Sequence, residues 1–301
     1  MPDLQGSPVI VGEVLFDCFP DGAAVLGGAP FNVAWHLQGL GLSPLMITAV
    51  GDDQHGQQVV KAMQDWGMDA RGVQIDSQHP TGQVAVSLQE GMPSYEIVPD
   101  QAYDFIDEQI AGSVLQDETR ALLYHGSLVA RTARSRGMLD TLVSQTGLPA
   151  FVDINLRKPW YTVADIDHFL QRSRWVKLND EELAIVMQDD TGGSEDIRRL
   201  AQACFERYAL QLLIVTRGEH GALALTREGL VEGAPVLATH LVDTVGAGDS
   251  FSAVMIAGLI QQWPMAVALE RALQFAAAVC EIRGATTHDR GLYQRFLQQW
   301  R

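Results

Sequence analysis

Short apolar runs alternate along the chain with longer stretches whose apolar residues recur every three or four positions. The short runs are typical of strands buried on both faces, and the longer stretches are typical of helices. The predicted strands are Val9–Leu15, Pro44–Gly51, Ala121–Leu128, Pro149–Leu156, Trp175–Asn179 and Leu212–Gly218. The predicted helices are Pro30–Leu40, Gly56–Trp66, Ser135–Thr146, Asp180–Met187, Ser194–Tyr208, Ala247–Gln262 and Met265–Arg283. This alternation predicts an α/β fold with a mainly parallel sheet, whose ligands bind beyond the carboxyl ends of the strands.

Two segments depart from the alternation. Thr81–Leu88 and Ser94–Val98 alternate apolar and polar residues, and the turn-forming residues Gln89–Pro93 separate them. We expect a β-hairpin outside the parallel core, which the strand-like stretch Phe16–Leu26 could join. The exposed edges of such a small sheet need a partner, either a substrate or a second subunit.

Charge and cysteine content exclude several classes of function. The chain has 301 residues, 37 of them acidic and 21 basic, with a net charge of −16 and three lysines, so a nucleic-acid partner is not expected. The three cysteines, Cys18, Cys204 and Cys280, are far apart and have no metal-ligand spacing, which favours a reducing compartment. No apolar run approaches the ~18 residues of a membrane span. The first residues do not resemble a secretion signal, so a cytoplasmic location is expected.

The segment Asp243–Asp249 (DTVGAGD) leads into the predicted apolar helix Ala247–Gln262. A helix N-terminus offers free N–H groups and the positive end of a dipole to an anion, and Gly246 and Gly248 permit close approach of a phosphate. Asp249, in the first turn, would accept a proton from a hydroxyl group. Taken alone, the motif is equally a glycine-rich loop in which Asp249 caps the helix.

Two other nucleotide-binding motifs are missing from the sequence. There is no Gly-Lys-Ser/Thr, which excludes a P-loop, and no GxGxxG follows the first predicted strand, which argues against a nicotinamide-dependent oxidoreductase.

DTVGAGD resembles the carboxy-terminal signature DTxGAGD of the ribokinase-like (PfkB) carbohydrate kinases, and matching segments extend over nearly the whole chain. The resemblance implies a single domain, residues 1–301, with a three-layer α/β/α fold and a mainly parallel central sheet. It also implies a small β-sheet lid formed by segments about 15–27 and 81–98. A homodimer formed through this lid would follow the pattern of the family.

The same resemblance implies transfer of the γ-phosphate of ATP to a sugar hydroxyl. Asp249 would be the catalytic base, and Gly246, Ala247 and Gly248 would form the anion hole for the transferring phosphoryl group. A non-catalytic protein that senses sugar or nucleotide on the same scaffold is the alternative from another class. The joint presence of Asp249, the GAG turn, Asn179 and Glu182 argues against it.

Sugar-binding residues are implied by two amino-terminal segments. Residues 27–34 (GGAPFNVA) resemble the family signature GGxxxNxA, which places Gly27, Gly28 and Asn32 at the sugar. Residues 12–17 (GEVLFD) resemble the first strand of the family, whose aspartate, here Asp17, binds sugar hydroxyls. The local alternatives are a plain glycine turn and an asparagine helix cap.

Further segments resemble fructokinases most closely. Residues 153–160 (DINLRKPW) resemble the pattern DxNxRxxxW, with one residue fewer before the tryptophan, and Arg157 offers a forked donor to phosphate or sugar oxygens. Tyr95, on the predicted hairpin, would cover the sugar. The expected reaction converts D-fructose to fructose 6-phosphate. Ribose, a 2-keto-3-deoxy acid sugar or a nucleoside remains an alternative acceptor.

The cofactor-binding residues follow from shorter matches. Asn179 and Glu182 match the NxxE motif, which organises Mg²⁺ largely through water, although the same pair is also a helix capping box. The expected nucleotide contacts come from a TxGxxG turn and from the end of the last predicted helix, and they are Thr216, Gly218, Gly221, Ala276, Cys280 and Gly284. The turn is equally a hairpin into residues 222–226. The family's asparagine is missing from that helix, and activation by K⁺ near Asp243 stays open.

Overall fold

The computed structural model describes residues 4–89, 92–116, 119–189 and 197–301. In chain order, the strands are β1 (Ser7–Val11), β2 (Leu15–Cys18), β3 (Ala24–Gly27), β4 (Leu45–Gly51), β5 (Val73–Asp76), β6 (Gly82–Gln89), β7 (Met92–Ile97), β8 (Arg120–Gly126), β9 (Ala150–Asp153), β10 (Trp175–Asn179), β11 (Leu212–Thr216), β12 (Ala222–Thr226) and β13 (Gly229–Gly233). The helices are α1 (Ala29–Gly39), α2 (Gln54–Trp66), α3 (Glu108–Leu115), α4 (Ala133–Thr146), α5 (Val163–Arg172), α6 (Asp180–Met187), α7 (Ile197–Arg207), α8 (Ala247–Ile260), α9 (Met265–Val279) and α10 (Arg290–Gln299).

The large sheet has the strand order β13-β12-β11-β10-β9-β8-β1-β4-β5. Its neighbouring strands are parallel from β11 to β5, and β12 and β13 extend it as an antiparallel hairpin. Both faces are covered by helices. One apolar cluster joins the sheet to α1, α2, α8, α9 and α10, and the other joins it to α3, α4, α5, α6 and α7. The predicted three-layer α/β/α architecture is therefore confirmed.

Strand β1 shows why the core strands read as continuous apolar runs. Ile10 points into one apolar cluster, whereas Val9 and Val11 point into the other, so every position from Pro8 to Val11 is buried. Parallel sheets covered on both faces produce such runs instead of an apolar–polar alternation.

The predicted strand Val9–Leu15 is two strands of different sheets. The large-sheet strand ends at Val11, and Leu15 begins the small sheet. A Cβ on residue 12 would lie 2.3 Å from Cγ of Pro30, so Gly12 lets the first turn of α1 pack against the chain where it leaves the large sheet.

The last predicted helix, Met265–Arg283, ends at Val279. The carbonyl of Cys280 accepts bonds from the amides of Val242 and Asp243, and the amide of Gly284 donates to Oδ2 of Asp243. In a longer helix the carbonyl of Cys280 would instead accept from the amide of Gly284. The helix therefore ends earlier than predicted, because both groups bond the loop that precedes α8.

The small sheet has the order β3-β2-β6-β7, with β2 and β6 parallel and the two outer pairs antiparallel. The predicted hairpin is present as β6 and β7, and part of its predicted turn, residues 90 and 91, lies outside the described residues. Residues 194–196, the predicted start of α7, also lie outside them. The elements β5, β13, α3, α5 and α10 were not predicted.

Candidate active site

The carboxyl ends of the central strands and the amino ends of α1 and α8 meet at one edge of the large sheet. The side chain of Asn32, in α1, donates from Nδ2 to Oδ2 of Asp249, in the first turn of α8, over 2.8 Å. These two residues are 217 positions apart in the sequence. Asn32 is 5% exposed, and its Oδ1 is buried without a protein partner. The fold therefore joins the two predicted signatures through their polar side chains.

The first turn of α8 is shaped by two glycines. Gly246 is the N-cap and has φ 80°, a left-handed conformation that glycine adopts without strain. A Cβ at this position would lie 2.5 Å from Cα of Ala285. The amide of Ala247 donates to the carbonyl of Thr244 over 3.3 Å. The remaining N–H groups of the turn have no helical acceptor, which is the usual state of a helix N-terminus and suits an anion.

Asp249 lies in an environment that favours its neutral form. Burial raises its pKa from 3.8 to about 6, and the nearby carboxylate of Asp153 adds to that effect. The bond from Asn32 and the positive charges of Lys177 and Arg157 act in the opposite direction. A carboxylate with a pKa near 6 is a stronger base than an ordinary aspartate and is still mainly ionised at neutral pH.

A buried ion pair lies beneath this turn, and sequence reasoning missed it. The register of β9 and β10 places Asp153 opposite Lys177. Nζ of Lys177 bonds the two oxygens of Asp153 at 3.0 and 2.9 Å, and Ser252 of α8 donates to the same carboxylate over 2.8 Å. The signal was a lysine within the otherwise apolar run WVKLN.

A second buried carboxyl group, Glu13, follows β1 and was also missed. It is 3% exposed, and burial raises its pKa to about 8, so it is mostly protonated at neutral pH. The charges of Asp249, Arg157 and Arg131 act on it. Arg131 is itself fixed by a buried ion pair with Asp104 at 2.6 Å.

The other predicted sugar-binding residues differ in their burial and in their contacts. Gly28 is the N-cap of α1 with φ 111°, and a Cβ there would lie 2.6 Å from the carbonyl oxygen of Glu13. Gly27 ends β3, and Asp17 lies in β2, where burial raises its pKa. Arg157 is exposed in the loop after β9, close enough for its charge to act on Asp249. Tyr95 lies on β7 and is 58% exposed.

Asn179 and Glu182 form the capping box of α6. Oδ1 of Asn179 accepts from the amide of Glu182 over 2.7 Å, and Oε2 of Glu182 accepts from the amide of Asn179 over 2.9 Å. Oε1 of Glu182 accepts from the amide of Leu156 over 2.7 Å. Because both carboxylate oxygens already accept N–H bonds, the pair suits Mg²⁺ held through water better than Mg²⁺ bound directly. Among the described residues there is no cluster of three histidine, cysteine or acidic side chains arranged for a metal.

The TxGxxG segment forms the tight turn between β11 and β12, so the hairpin is present. Gly218 has φ 52° and Gly221 has φ 78°, and a Cβ on residue 221 would lie 2.2 Å from the carbonyl oxygen of Gly233. Thr216 ends β11, and its hydroxyl donates to the carbonyl of Leu178 over 3.4 Å. The turn projects from the same edge of the sheet as Asn179, with which Thr216 is in register.

The carboxylate of Asp243 ties the loop before α8 to the segment after α9. Its Oδ1 accepts from the amide of Val245 over 3.0 Å, and its Oδ2 accepts from the amide of Gly284 over 3.1 Å. Ala276 lies in the last turns of α9, and Cys280 is its C-cap. Cys280 and Gly284 thus contact the loop that leads into the first turn of α8, and the carbonyl of Ala276 accepts from the amide of Cys280.

Comparisons with known proteins identify the family. Residues 20–290 match the pfkB family carbohydrate kinase, so the chain belongs to the PfkB family of carbohydrate kinases. A fructokinase of Klebsiella pneumoniae is 30% identical over 275 residues, which cover 85% of each chain. The predicted class of enzyme, a sugar kinase, is confirmed at this level.

Solved structures support the fold. A fructokinase double mutant from Vibrio cholerae O395, with fructose, ADP and potassium ion bound, superposes with a TM-score of 0.80 at 23% identity, covering 99% of this chain and all of that one. A 2-dehydro-3-deoxygluconokinase from Thermotoga maritima gives a TM-score of 0.82 at 16% identity, covering 98% of this chain and 100% of that one. The fold is shared by enzymes for different acceptors and does not select among them. In the described part of the chain, no helix has the length and apolar character needed to cross a bilayer.

Proposed function

We propose that this protein transfers the γ-phosphate of ATP to the 6-hydroxyl group of D-fructose. The observation that carries the proposal is the bond between Asn32 and Asp249 at the open amino end of α8. It places a carboxylate of raised pKa, an amide with an unpaired oxygen and a turn of backbone N–H groups within one small region. Phosphoryl transfer needs these functions together: a partner for the hydroxyl group, a means of orienting it and a site for the phosphoryl charge.

In the proposed reaction, Asp249 accepts the proton of the sugar hydroxyl as the oxygen attacks the γ-phosphorus in line. The backbone of Gly246, Ala247 and Gly248 stabilises the charge that develops on the transferring phosphoryl group. Asn32 orients the carboxylate through Nδ2, which leaves its Oδ1 for a sugar hydroxyl. Because the positioned groups supply most of the effect in this class of reaction, the geometry of the turn should matter as much as proton removal.

The nucleotide would lie over the sheet edge between the β11–β12 turn and the end of α9. Thr216, Gly218 and Gly221 would approach the phosphates or ribose, and Ala276, Cys280 and Gly284 would border the base. Mg²⁺, when bound, neutralises phosphate charge, and Asn179 and Glu182 would hold it through water. K⁺ would bind near Asp243, whose carboxylate fixes the loop around Gly284.

The sugar would lie between α1 and the small sheet, in contact with Asp17, Gly27, Gly28, Arg157 and Tyr95. The small sheet would act as a lid that excludes water and so limits wasteful ATP hydrolysis. Tyr95 and Val25 are exposed on this sheet, at 58% and 48%, which is consistent with pairing of two lids in a homodimer. Sedimentation at micromolar concentration tests the dimer, and a monomer would contradict it.

Fructose is preferred over other acceptors because the curated relatives at about 30% identity include bacterial and plant fructokinases. A panel of fructose, ribose, 2-keto-3-deoxygluconate and nucleosides, assayed with ATP and Mg²⁺ by ADP release, tests the choice. Fructose should give the highest kcat/KM. A nucleoside or acid sugar that exceeds it tenfold would transfer the proposal to that acceptor, and binding of a sugar without ADP release would favour a sensing protein.

A further inference from the structure

The buried ammonium group of Lys177 stands directly behind the first turn of α8. Nζ lies 3.1 Å from the position that a Cβ on residue 248 would occupy, so Gly248 leaves room for it. The side chain of Lys177 is 9% exposed, and that of its partner Asp153 is 2% exposed. A fixed positive charge, screened little by water, therefore adjoins the backbone that would receive a phosphoryl group.

Stability alone gives a weak reason for such a pair. Buried ion pairs are often no better for the fold than well-packed apolar residues of similar size, because desolvation offsets their attraction. The chain has three lysines and a net charge of −16, and the other two lysines, Lys61 and Lys158, are exposed. One of its few lysines is thus placed inside the protein at the proposed phosphate site.

The carboxylate of Asp153 is held in place by side chains from β8, β10 and α8. Besides Lys177, the carboxylate accepts from the hydroxyl groups of Ser252, over 2.8 Å, and Tyr124, over 3.5 Å. Four bonds from three side chains therefore hold it in place. The other acidic groups whose charges act on Lys177 are Glu182, from α6, and Asp249, from α8.

We propose that Lys177, oriented by Asp153, is a positioning residue for phosphoryl transfer, which supports Gly248 and holds its ammonium group beside the turn that stabilises the transferring group. The inference rests on the proposed function of the same site. Lys177 acts through the turn and needs no contact with substrate. Charge fixed beforehand in a water-poor site contributes more to a charged transition state than to the bound substrate, so its removal should lower kcat.

The test uses the double variant Asp153→Asn/Lys177→Met, which removes both charges and so leaves no lone buried ion. We expect kcat to fall by about 10²-fold, a loss similar to that of one anion-hole donor. The KM for fructose should stay within about threefold, because the sugar does not contact this pair. If the double variant does not fold, Lys177→Gln carries the same expectation, since it keeps a donor for Asp153 and loses the charge.

A binding measurement gives a second readout that does not depend on turnover. Aluminium fluoride with ADP, Mg²⁺ and fructose mimics the transferring phosphoryl group, and calorimetry measures how much the fluoride strengthens ADP binding. In the wild-type protein the fluoride should strengthen ADP binding greatly. In the double variant this strengthening should be about 10²-fold smaller, while ADP alone binds normally. A structural role for the pair would not produce this difference.

Ser252→Ala is the matched control, because it removes the bond from α8 to Asp153 and keeps Lys177. It should lower Tm and leave kcat within about threefold. The inference is overturned if the double variant keeps the kcat of the wild-type protein and its response to fluoride. It is also overturned if Ser252→Ala lowers kcat as much as the double variant does. Wild-type protein that phosphorylates no sugar would instead overturn the proposed function, which separates the two failures.

Discussion

The substitution Asp249→Asn should lower kcat by about 10²–10⁴-fold and at the same time stabilise the folded protein. Raising the pKa of Asp249 from 3.8 to about 6 means that the fold favours the neutral acid, by about 3 kcal/mol at ~1.36 kcal/mol per pKa unit. Asp249 is partly exposed, so solvent reduces the expected gain to about 1–3 kcal/mol. Asparagine resembles the neutral acid and can still accept the bond from Asn32.

The stabilisation expected for Asp249→Asn depends on pH, because the ionisation of Asp249 does. Below pH 3.8 the carboxyl group is protonated in both the folded and unfolded states, and its ionisation costs the fold nothing. As the pH rises through about 6, the folded state is forced to ionise, and the full cost is present above that value. The stabilisation by Asp249→Asn should therefore be largest near pH 8 and should shrink toward pH 4.5.

Thermal unfolding followed by circular dichroism between pH 4.5 and 8 measures the effect. At pH 8 the Tm of Asp249→Asn should exceed that of the wild-type protein by roughly 2–6 °C. Asp65→Asn, at an exposed position on α2, is the control and should change Tm little. kcat of Asp249→Asn should fall by about 10²–10⁴-fold. An unchanged or lower Tm at pH 8, or substantial residual kcat, would refute the reasoning.

Three further outcomes are expected. The kcat/KM of the wild-type protein should rise with pH through about 6 as Asp249 ionises. Asn32→Ala should move this rise to higher pH, because the bond from Asn32 lowers the pKa of Asp249. A rise at the same pH in the variant would contradict the role of Asp249 as the base. Gly246→Ala should lower both Tm and kcat, because its Cβ would lie 2.5 Å from Cα of Ala285, and normal values of both would exclude this clash. Glu182→Gln should cost about 1–3 kcal/mol in urea unfolding, because one of the two half-buried amides now bonded to Glu182 would lose its acceptor. It should also raise the Mg²⁺ concentration needed for activity, and unchanged stability and Mg²⁺ response would argue against both roles.

The elements that local sequence determines were predicted closely. The helix Asp180–Met187 was placed at both ends, because Asn179 and Glu182 form a capping box that is readable from four residues. The apolar runs gave the core strands because a parallel sheet covered on both faces buries every position. Their predicted ends were less accurate, since Ala121–Leu128 and Pro149–Leu156 ran on into the loops beyond β8 and β9.

The parts that were missed depend on contacts across the fold. The pairing of Lys177 with Asp153 follows from the register of β9 and β10, which no local pattern contains. Glu13 owes its raised pKa to burial in the folded protein, and its sequence context of GEVLF gives no sign of that. A charged residue inside an apolar strand was the available signal for Lys177, and it needed the partner strand to be interpreted.

Position-specific phosphorylation of fructose tests the account most directly. Purified wild-type protein and Asp249→Asn are each incubated with ATP, Mg²⁺ and fructose, and ADP and sugar phosphate are quantified, with the phosphate position assigned by phosphorus NMR. The wild-type protein should form ADP and fructose 6-phosphate in equal amounts, and the variant should form neither at a comparable rate. ADP released at the same rate without a sugar, a product phosphorylated elsewhere, or undiminished product from Asp249→Asn would contradict the account.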